Sequence, residues 1–245
     1  MHAFENKVVL ITGGGTGIGK ATAASFMEQG AKVVIAGRRA SVLEEAVKEL
    51  GESAQFVVGD VSKRGDPKTI VDEVIKRHDR LDVVVNNAGT MAMGPVMELD
   101  DEEIERVFRT NVFSILAVSR EALPHLIKTQ GSIINISSTV STSTMPGISV
   151  YAASKAAVDH ITRTLAVESG SSGVRVNAVA PGLTATDMAA AASPDGQMQE
   201  MMVSQTPMGR VGEPQDIGRV VRLLASDDAG WVTGQIVQVS GGLML

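Results

Sequence analysis

Cysteine is absent from this 245-residue chain. Its absence excludes disulfides, thiol nucleophiles and thiolate metal sites. Histidine is scarce, and His2, His78, His125 and His160 show none of the spacings typical of metal ligands. We therefore predict neither a metal site nor thiol chemistry.

Clustered positive charge and long apolar runs are also missing. The net charge is −6 and no basic tract occurs, which disfavours nucleic acid because phosphate binding needs clustered Lys and Arg. No run approaches the roughly 20 apolar residues of a membrane span. The N-terminus, MHAFENKVVLITGGG, has no basic region before its short apolar run, so it indicates a strand rather than a signal peptide. We expect a cytoplasmic protein with a small-molecule partner.

Short apolar runs alternate with amphipathic helical segments along the chain. Apolar runs without clean alternation are typical of strands buried on both faces, as in a parallel sheet. The runs span 7–12, 32–37, 55–60, 81–89, 131–137, 174–181 and 235–240. We predict one α/β domain over 1–245. Residues 183–212, rich in Ala and Met, stand apart as a substrate-loop region or, about equally well, as unconstrained surface helices.

A glycine cluster, Thr12-Gly13-Gly14-Gly15-Thr16-Gly17-Ile18-Gly19, follows the first run and opens a helix. Helix N-terminal amides and glycine backbone suit a nucleotide phosphate there. The span 14–20 also fits GxxxxGK, the start of a P-loop. That motif needs Ser or Thr next, and the chain has Ala21, so an NTPase is a distant alternative.

Tyr151 is the only tyrosine of the chain, and it lies upstream of Lys155 by one helical turn. A free tyrosine has a pKa of about 10, so acid/base work near neutral pH needs a stabilised phenolate. Lys155 would share a helix face with it and could supply that charge. The alternative is a buried anchor whose hydroxyl is satisfied. No GxSxG occurs, so the serine hydrolase elbow is missing.

The motifs of the chain occur in the order seen in the short-chain dehydrogenase/reductase family, which the chain therefore resembles. They are Thr12-Gly13-x3-Gly17-x-Gly19, Asp60, Asn86-Asn87-Ala88-Gly89, Asn111, Ser138, Tyr151-x3-Lys155, Pro181-Gly182 and Gly241-Gly242. The resemblance covers essentially the whole chain. It implies a doubly wound Rossmann-type domain, with a parallel seven-stranded sheet of order 3-2-1-4-5-6-7 and helices on both faces. It also implies reversible interconversion of a carbonyl and an alcohol.

The resemblance assigns a role to each matching residue. The implied catalytic set is Asn111, Ser138, Tyr151 and Lys155, with Ser138 polarising the substrate oxygen and Asn111 supporting a relay water near the lysine. The implied cofactor-binding set is Gly13, Thr16, Gly17, Ile18, Gly19, Gly37, Arg38, Arg39, Asp60, Val61, Asn87, Ala88, Gly89, Tyr151, Lys155, Pro181, Gly182, Thr184 and Thr186. Simpler structural roles stay open: Ser138 as a turn residue, Asn111 as a buried amide and Asp60 as a strand cap.

The end of the second strand predicts the cofactor. Relatives that bind NAD place there a carboxylate on the adenosine ribose, whereas this chain has Gly37, followed by Arg38 and Arg39. Two cations near a helix N-terminus oppose the macrodipole unless an anion compensates them. We therefore predict NADP(H), with Arg38 as the main contact to the 2′-phosphate.

The substrate is predicted to be a hydrophobic carbonyl compound. Its expected walls, drawn from loops after strands four to six, are Met91, Met93, Ser138, Val140, Met145, Ile148, Tyr151 and Met188. Reduction of 3-oxoacyl groups on acyl carrier protein is the rival, disfavoured by the net charge and by Ser132 and Ser172 where arginines are sought. A dinucleotide sensor without catalysis is a distant alternative.

A homodimer or homotetramer is expected, with 243–245 at a subunit contact or packed within the chain.

Overall fold

The computed structural model describes residues 3–193 and 195–244. All seven strands form one parallel sheet, and the predicted order β3-β2-β1-β4-β5-β6-β7 is confirmed. The strands are β1 (Val8–Thr12), β2 (Lys32–Gly37), β3 (Ala54–Val58), β4 (Val83–Asn86), β5 (Ser132–Ile136), β6 (Arg175–Pro181) and β7 (Ile236–Val239). The run over 81–89 shortens most, because the chain leaves the sheet at Asn87 to bond the turn after β1.

Helices connect the strands on both faces of the sheet. They are α1 (Gly17–Met27), α2 (Ala40–Leu50), α3 (Asp66–His78), α4 (Asp101–Phe108), α5 (Ser114–Thr129), α6 (Ser149–Gly170), α7 (Asp187–Ala192), α8 (Gln197–Ser204) and α9 (Pro214–Ala225). A π-helical turn over Arg109–Phe113 joins α4 to α5. Asn111 lies in this turn, and π-helical turns often mark functional positions.

Two hydrophobic cores explain why the strands lack a polar face. In β1, Val9 and Ile11 pack with Phe26 of α1 and the buried side of α9. Val8 and Leu10 point the opposite way, toward α3, α5 and α6. Successive strand residues face opposite sides, so a sheet covered on both faces needs apolar residues throughout.

The carboxyl ends of the strands carry the loops that form the site. The strand order reverses between β1 and β4, the crevice where ligands bind in open α/β sheets. Residues 183–212 leave the sheet after β6 and contain α7 and α8. Thr184 pairs with Gly212 as an isolated bridge, and Ala185 N–H donates to Gly212 O at 2.9 Å. The two ends of this segment are therefore tied together above the sheet.

The C-terminal residues pack within their own chain. Leu243 is buried, and the Met244 thioether accepts a hydrogen bond from Ser143 Oγ at 3.0 Å. Of the two expectations for 243–245, packing within the chain is correct for Leu243, whereas Leu245 lies outside the described residues. Among the helices of the described residues, none has the length and apolarity to cross a membrane.

Candidate active site

A cavity of about 590 Å³ opens at the carboxyl ends of the strands. Most of the predicted site residues line it. They are Gly13, Thr16, Gly17, Ile18, Gly37, Arg38, Arg39, Val61, Asn87, Ala88, Gly89, Met91, Met93, Ser138, Val140, Met145, Ile148, Tyr151, Lys155, Pro181, Gly182, Thr184, Thr186 and Met188. Gly19, Asp60 and Asn111 are not part of the lining.

The glycine turn between β1 and α1 forms the floor of one end. Gly13 has φ +64° and Gly17 has φ +50°, the left-handed region that glycine adopts without strain. A Cβ added to Gly19 would lie 2.3 Å from the carbonyl oxygen of Gly13. Gly19 therefore acts by close packing, which lets the turn fold against the N-terminus of α1. The resulting cradle fits a dinucleotide, because the turn lies at the N-terminus of α1 and lines the cavity largely with glycine backbone.

Asn87 and Thr12 fasten the loop after β4 to this turn. Asn87 Nδ2 donates to the carbonyl oxygens of Thr12 and Gly13 at 2.9 and 3.0 Å. In return, Thr12 Oγ1 accepts from the N–H groups of Asn87 and Ala88 at 3.0 and 3.1 Å. This reciprocal bonding holds two cofactor loops as one unit.

Lys20 shows why the P-loop alternative fails on geometry. Its ammonium pairs with Glu49 of α2, 2.5 Å from Oε2, and it is not part of the cavity lining. A P-loop lysine has to reach the β- and γ-phosphates. Here that lysine serves helix packing instead.

Two exposed arginines follow the end of β2. Arg38 and Arg39 are exposed, line the cavity and make no ion pair with any described residue. They precede α2, which begins at Ala40, rather than forming its first turn. A Cβ added to Gly37 would lie 3.3 Å from Leu43 Cδ2, so a larger residue at position 37 would press on Leu43.

Asp60 lies beside the cavity rather than in it. Its Oδ1 accepts from Ser62 N–H at 3.0 Å and from Ser62 Oγ at 2.6 Å. The carboxylate thus caps a turn, and its neighbours Gly59 and Val61 line the cavity. The contact of Asp60 with the cofactor stays a prediction.

Ser138, Tyr151 and Lys155 meet at the other end of the cavity. Ser138 caps the 3-10 turn after β5, with Val140 N–H donating to its Oγ at 3.4 Å. The Lys155 ammonium lies 5.6 Å from the centre of the Tyr151 ring and donates to Ile136 O at 2.8 Å. Tyr151 and Lys155, one turn apart on α6, therefore line the same cavity as Ser138, which follows β5.

The ionisation of this pair depends on burial. Burial raises the pKa of Tyr151, and hydrogen bonding with Ser138 opposes that change. Burial lowers the pKa of Lys155 to about 8, and the charge of Asp159 opposes it. Below about pH 8 the lysine is an ammonium beside a protonated phenol, which is the arrangement that proton donation needs.

Asn111 supports the pair from the π-helical turn. Its Oδ1 accepts from Thr90 N–H at 2.8 Å, and its Nδ2 donates to Thr90 O and to Ser154 Oγ. Ser154 in turn donates to Tyr151 O at 2.7 Å. A Cβ added to Gly89 would lie 3.6 Å from Asn111 Oδ1 and 3.8 Å from Lys155 Nζ, so glycine keeps that space open.

Several lining residues were not predicted from the sequence. Met198, Gln199 and Met202 come from α8, and Arg106 and Thr110 come from α4 and the turn after it. The helical spacing of Met198 and Met202 within 183–212 was the available signal for α8. Among the described residues, no group of three acidic or histidine side chains is arranged to hold a metal ion.

Comparison with known proteins decides the family. The family model described as enoyl-(acyl carrier protein) reductase matches residues 13–244. A 3-oxoacyl acyl-carrier-protein reductase of Thermotoga maritima is 38% identical over 247 residues, covering 99% of both chains. The chain belongs to the short-chain dehydrogenase/reductase family. Versicolorin reductase 1 of Aspergillus parasiticus is 38% identical over 258 residues, covering 98% of this chain and 97% of that one.

Other members of the short-chain dehydrogenase/reductase family agree. Meso-2,3-butanediol dehydrogenase of Serratia marcescens is 35% identical and covers 98% of this chain and 95% of its own. The solved structure of a short-chain type dehydrogenase/reductase from Mycobacterium ulcerans superposes with a TM-score of 0.94 at 36% identity, covering 98% of this chain and 90% of that one. The protein is therefore an oxidoreductase of this family, whose members use nicotinamide dinucleotides, NAD or NADP.

Proposed function

We propose that the protein is an NADP(H)-dependent oxidoreductase that interconverts a ketone or aldehyde and an alcohol, with Tyr151 as general acid/base. The observation that carries the proposal is the convergence of Ser138, Tyr151 and Lys155 on the cavity that the glycine turn also lines. A phenol, a hydroxyl and an ammonium are the groups that a carbonyl oxygen needs when it gains a proton.

Each residue has a separate task in the reduction direction. Ser138 donates to the carbonyl oxygen and polarises it, and Tyr151 gives that oxygen its proton. Lys155 stabilises the resulting phenolate because its ammonium lies beside the ring. When bound, the nicotinamide supplies the hydride that the carbonyl carbon accepts. In the oxidation direction the phenolate takes the proton back.

The cradle at the other end would hold the cofactor. The glycine turn would bind its phosphates, Asn87, Ala88 and Gly89 would contact it from the loop after β4, and Lys155 would bind its ribose hydroxyls. Pro181, Gly182, Thr184 and Thr186 would hold the nicotinamide. Arg38, with Arg39, supports a choice of NADP(H), since both are exposed at the cavity and Gly37 brings no repelling carboxylate.

The substrate side supports hydrophobic carbonyl compounds. Its lining includes Met91, Met93, Met145, Met188, Met198 and Met202. Thioether side chains are apolar and adaptable, so they accept varied shapes. The alternative role for each of these methionines is to fill the hydrophobic core.

The rival is reduction of 3-oxoacyl groups on acyl carrier protein, favoured by the Thermotoga maritima relative. The net charge of −6 opposes docking of an acidic carrier. Ser132 no longer bears on the choice, because it is a buried residue of β5 and cannot contact a partner. The Tyr151 and Lys155 pair disfavours a sensor without catalysis.

One assay series tests the proposal. The purified protein is given NADPH or NADH with a panel of free aromatic and aliphatic ketones, and separately with 3-oxoacyl groups on acyl carrier protein. We expect turnover of free ketones with NADPH. Efficient turnover of carrier substrates with slow turnover of free ketones would favour the rival, and no turnover of any carbonyl would favour the sensor.

The proposal includes a homodimer or homotetramer in the cytoplasm. Exposed apolar side chains support assembly: Phe113 in the π-helical turn, Leu116 on α5, Leu223 on α9 and Trp231 before β7 are all exposed. Exposed apolar surface favours association. Light scattering of the purified protein measures the mass, and a monomer at micromolar concentration would contradict the expectation.

A further inference from the structure

A buried carboxylate stands behind the active-site lysine. Asp159 lies on α6 one turn beyond Lys155, and the two residues are 3% and 4% exposed. Residues four apart on a helix share a face, so both charged groups occupy one side of α6. Taking a charge out of water is costly unless a partner compensates it. The buried carboxylate of Asp159 therefore needs a compensating group.

Its direct contact is a neutral hydroxyl. Ser137 Oγ donates to Asp159 Oδ1 at 2.5 Å and lies 3.4 Å from the Lys155 carbonyl oxygen. No lysine, arginine or histidine of the described residues lies within ion-pair distance of Asp159. A hydroxyl orients the carboxylate but carries no opposite charge.

Asp82 shows what a conventionally compensated carboxylate looks like in the same protein. It is also 3% exposed. It accepts two hydrogen bonds from Arg80, at 2.6 and 2.8 Å, and one from Val8 N–H, and Lys7 lies 3.6 Å away. Asp159 has none of these cations, which leaves Lys155 as the nearby opposite charge.

Lys155 and Asp159 are anchored to consecutive residues of one segment. The lysine ammonium donates to Ile136 O, and Ser137 binds the aspartate. Ser137 directly precedes Ser138. The end of β5 therefore fixes the lysine, the carboxylate and the substrate-facing serine relative to one another.

The other charged groups on and around α6 are engaged elsewhere or exposed. On α6 itself, the side chains of His160, Arg163 and Glu168 are exposed. Strand β5 and the 3-10 turn Thr139–Ser141 carry no charged residue. On β6, Arg175 donates to the carbonyls of 224–226.

The charged residues of α4 and the π-helical turn are also engaged or exposed. Arg109 bonds Glu105, and Arg106 contacts Glu103, Thr90 and Met91. Asp101 and Glu102, in the first turn of α4, are exposed.

We propose that Asp159 is the buried counter-charge that keeps Lys155 an ammonium, positioned for that task by Ser137. Asp159 is a positioning residue, since it acts through Lys155 and does not touch the substrate. The inference rests on the proposed function, because the ammonium matters only if it stabilises the Tyr151 phenolate. Burial already brings the pKa of Lys155 to about 8, and the charge of Asp159 opposes a further fall.

Asp159→Asn removes the charge and keeps the shape, so it tests the proposal. An opposite charge nearby shifts a pKa by about one unit or more. The basic limb of the pH profile of kcat/KM for reduction should therefore move about one unit toward lower pH. The rate loss is then about twofold near pH 7 and about tenfold on the basic limb. Asp159→Glu keeps the charge and should restore the parent profile in large part.

Asp82→Asn is the matched control. It also neutralises a buried carboxylate, but at the amino ends of the strands, away from the cavity. It should lower the melting temperature without moving the basic limb. If Asp159→Asn does not yield folded protein, Asp159→Ser removes the same charge with a smaller side chain and should give the same shift. A profile of either variant that superposes on the parent after uniform scaling would overturn the proposal.

A second readout needs neither cofactor nor turnover. The ionisation of Lys155 can be followed in the cofactor-free protein by the NMR chemical shift of its ¹³C-labelled ε-methylene group, with Lys155→Met identifying the resonance. Asp159→Asn should move this lysine titration about one unit toward lower pH, because the opposite charge is lost. An unchanged lysine titration counts against the proposal. A shifted titration in a protein without carbonyl turnover would instead uphold the coupling and reject the proposed function.

Discussion

The two ends of the cavity are built in opposite ways. At the cofactor end the site is formed mostly by tightly packed backbone. A Cβ on Gly19 would come within 2.3 Å of Gly13 O, and Asn87 bonds that turn at two points. At the substrate end, side chains from α7 and α8 form the wall, and Met188 is 39% exposed. A rigid backbone suits a ligand that never changes, whereas adaptable side chains suit ligands that differ.

Tyr151 lies where the two ends meet, and removing its hydroxyl should have the largest effect. Tyr151→Phe keeps the ring and deletes only the proton donor, so we expect kcat to fall by about 10²–10⁴. Affinity for NADPH, measured by titration calorimetry, should stay unchanged. Turnover within a few-fold of the parent would remove Tyr151 from the proposed mechanism.

Gly19→Ala tests whether the cofactor end is as rigid as its packing indicates. The added methyl group meets the backbone of Gly13 and the side-chain amide of Asn87, which itself bonds that backbone, and overpacking of this kind costs about 1–3 kcal/mol. We expect a lower melting temperature and at least tenfold weaker cofactor binding. Gly170→Ala is the control, because no atom lies within 4 Å of its added Cβ. Equal behaviour of the two variants would show that the turn is adaptable.

Arg38→Ala separates charge recognition from backbone recognition within the cofactor end. Loss of a hydrogen bond to a charged phosphate should weaken NADPH by about 1–3 kcal/mol and leave NADH unchanged. Gly37→Asp should shift the preference toward NADH. The exposed Arg163, outside the cavity lining, offers the control Arg163→Ala. A parent that prefers NADH would contradict the interpretation of the β2 end at the outset.

Met188→Leu should have the smallest effect, and its smallness is informative. Exchange of methionine and leucine usually costs less than about 1.5 kcal/mol, so KM should change modestly and by different amounts for different ketones. The exposed Met97 lies outside the lining and serves as the control in Met97→Leu. An equal loss for every ketone in the panel would mean that Met188 supports the fold rather than selecting the substrate.

Patterns that repeat along the chain were readable without the structure. The buried strands and the glycine turn could be predicted from local patterns, because strand burial and turn geometry act on neighbouring residues. The sheet order and the placement of Ser138, Tyr151 and Lys155 at one site came from the resemblance to the short-chain dehydrogenase/reductase family. Boundaries were less exact. The fourth strand ends at Asn86, since Asn87 is drawn to the β1–α1 turn by bonds to residues far away in the sequence.

Some residues changed role once their partners were known. Ser132 was weighed as a docking position and is buried in β5. Lys20 completed part of a P-loop pattern and pairs with Glu49. In each case the decisive neighbour or burial is set by packing, and no local pattern records it.

The sequence by itself determined the family, the sheet and the groups able to move a proton, because these depend on residue type, spacing and order. Only the tertiary structure decided which charges lie together. Asp159 carries no signal on α6 beyond its spacing from Lys155, and Asp82 is an equally ordinary aspartate in the chain. In the folded chain, Asp82 has Arg80, Lys7 and the N–H of Val8 as partners. Asp159 has only the Ser137 hydroxyl as a direct partner and lies one turn beyond the active-site lysine. Electrostatic energies depend on distance and burial, and both are properties of the packed chain rather than of the residue order.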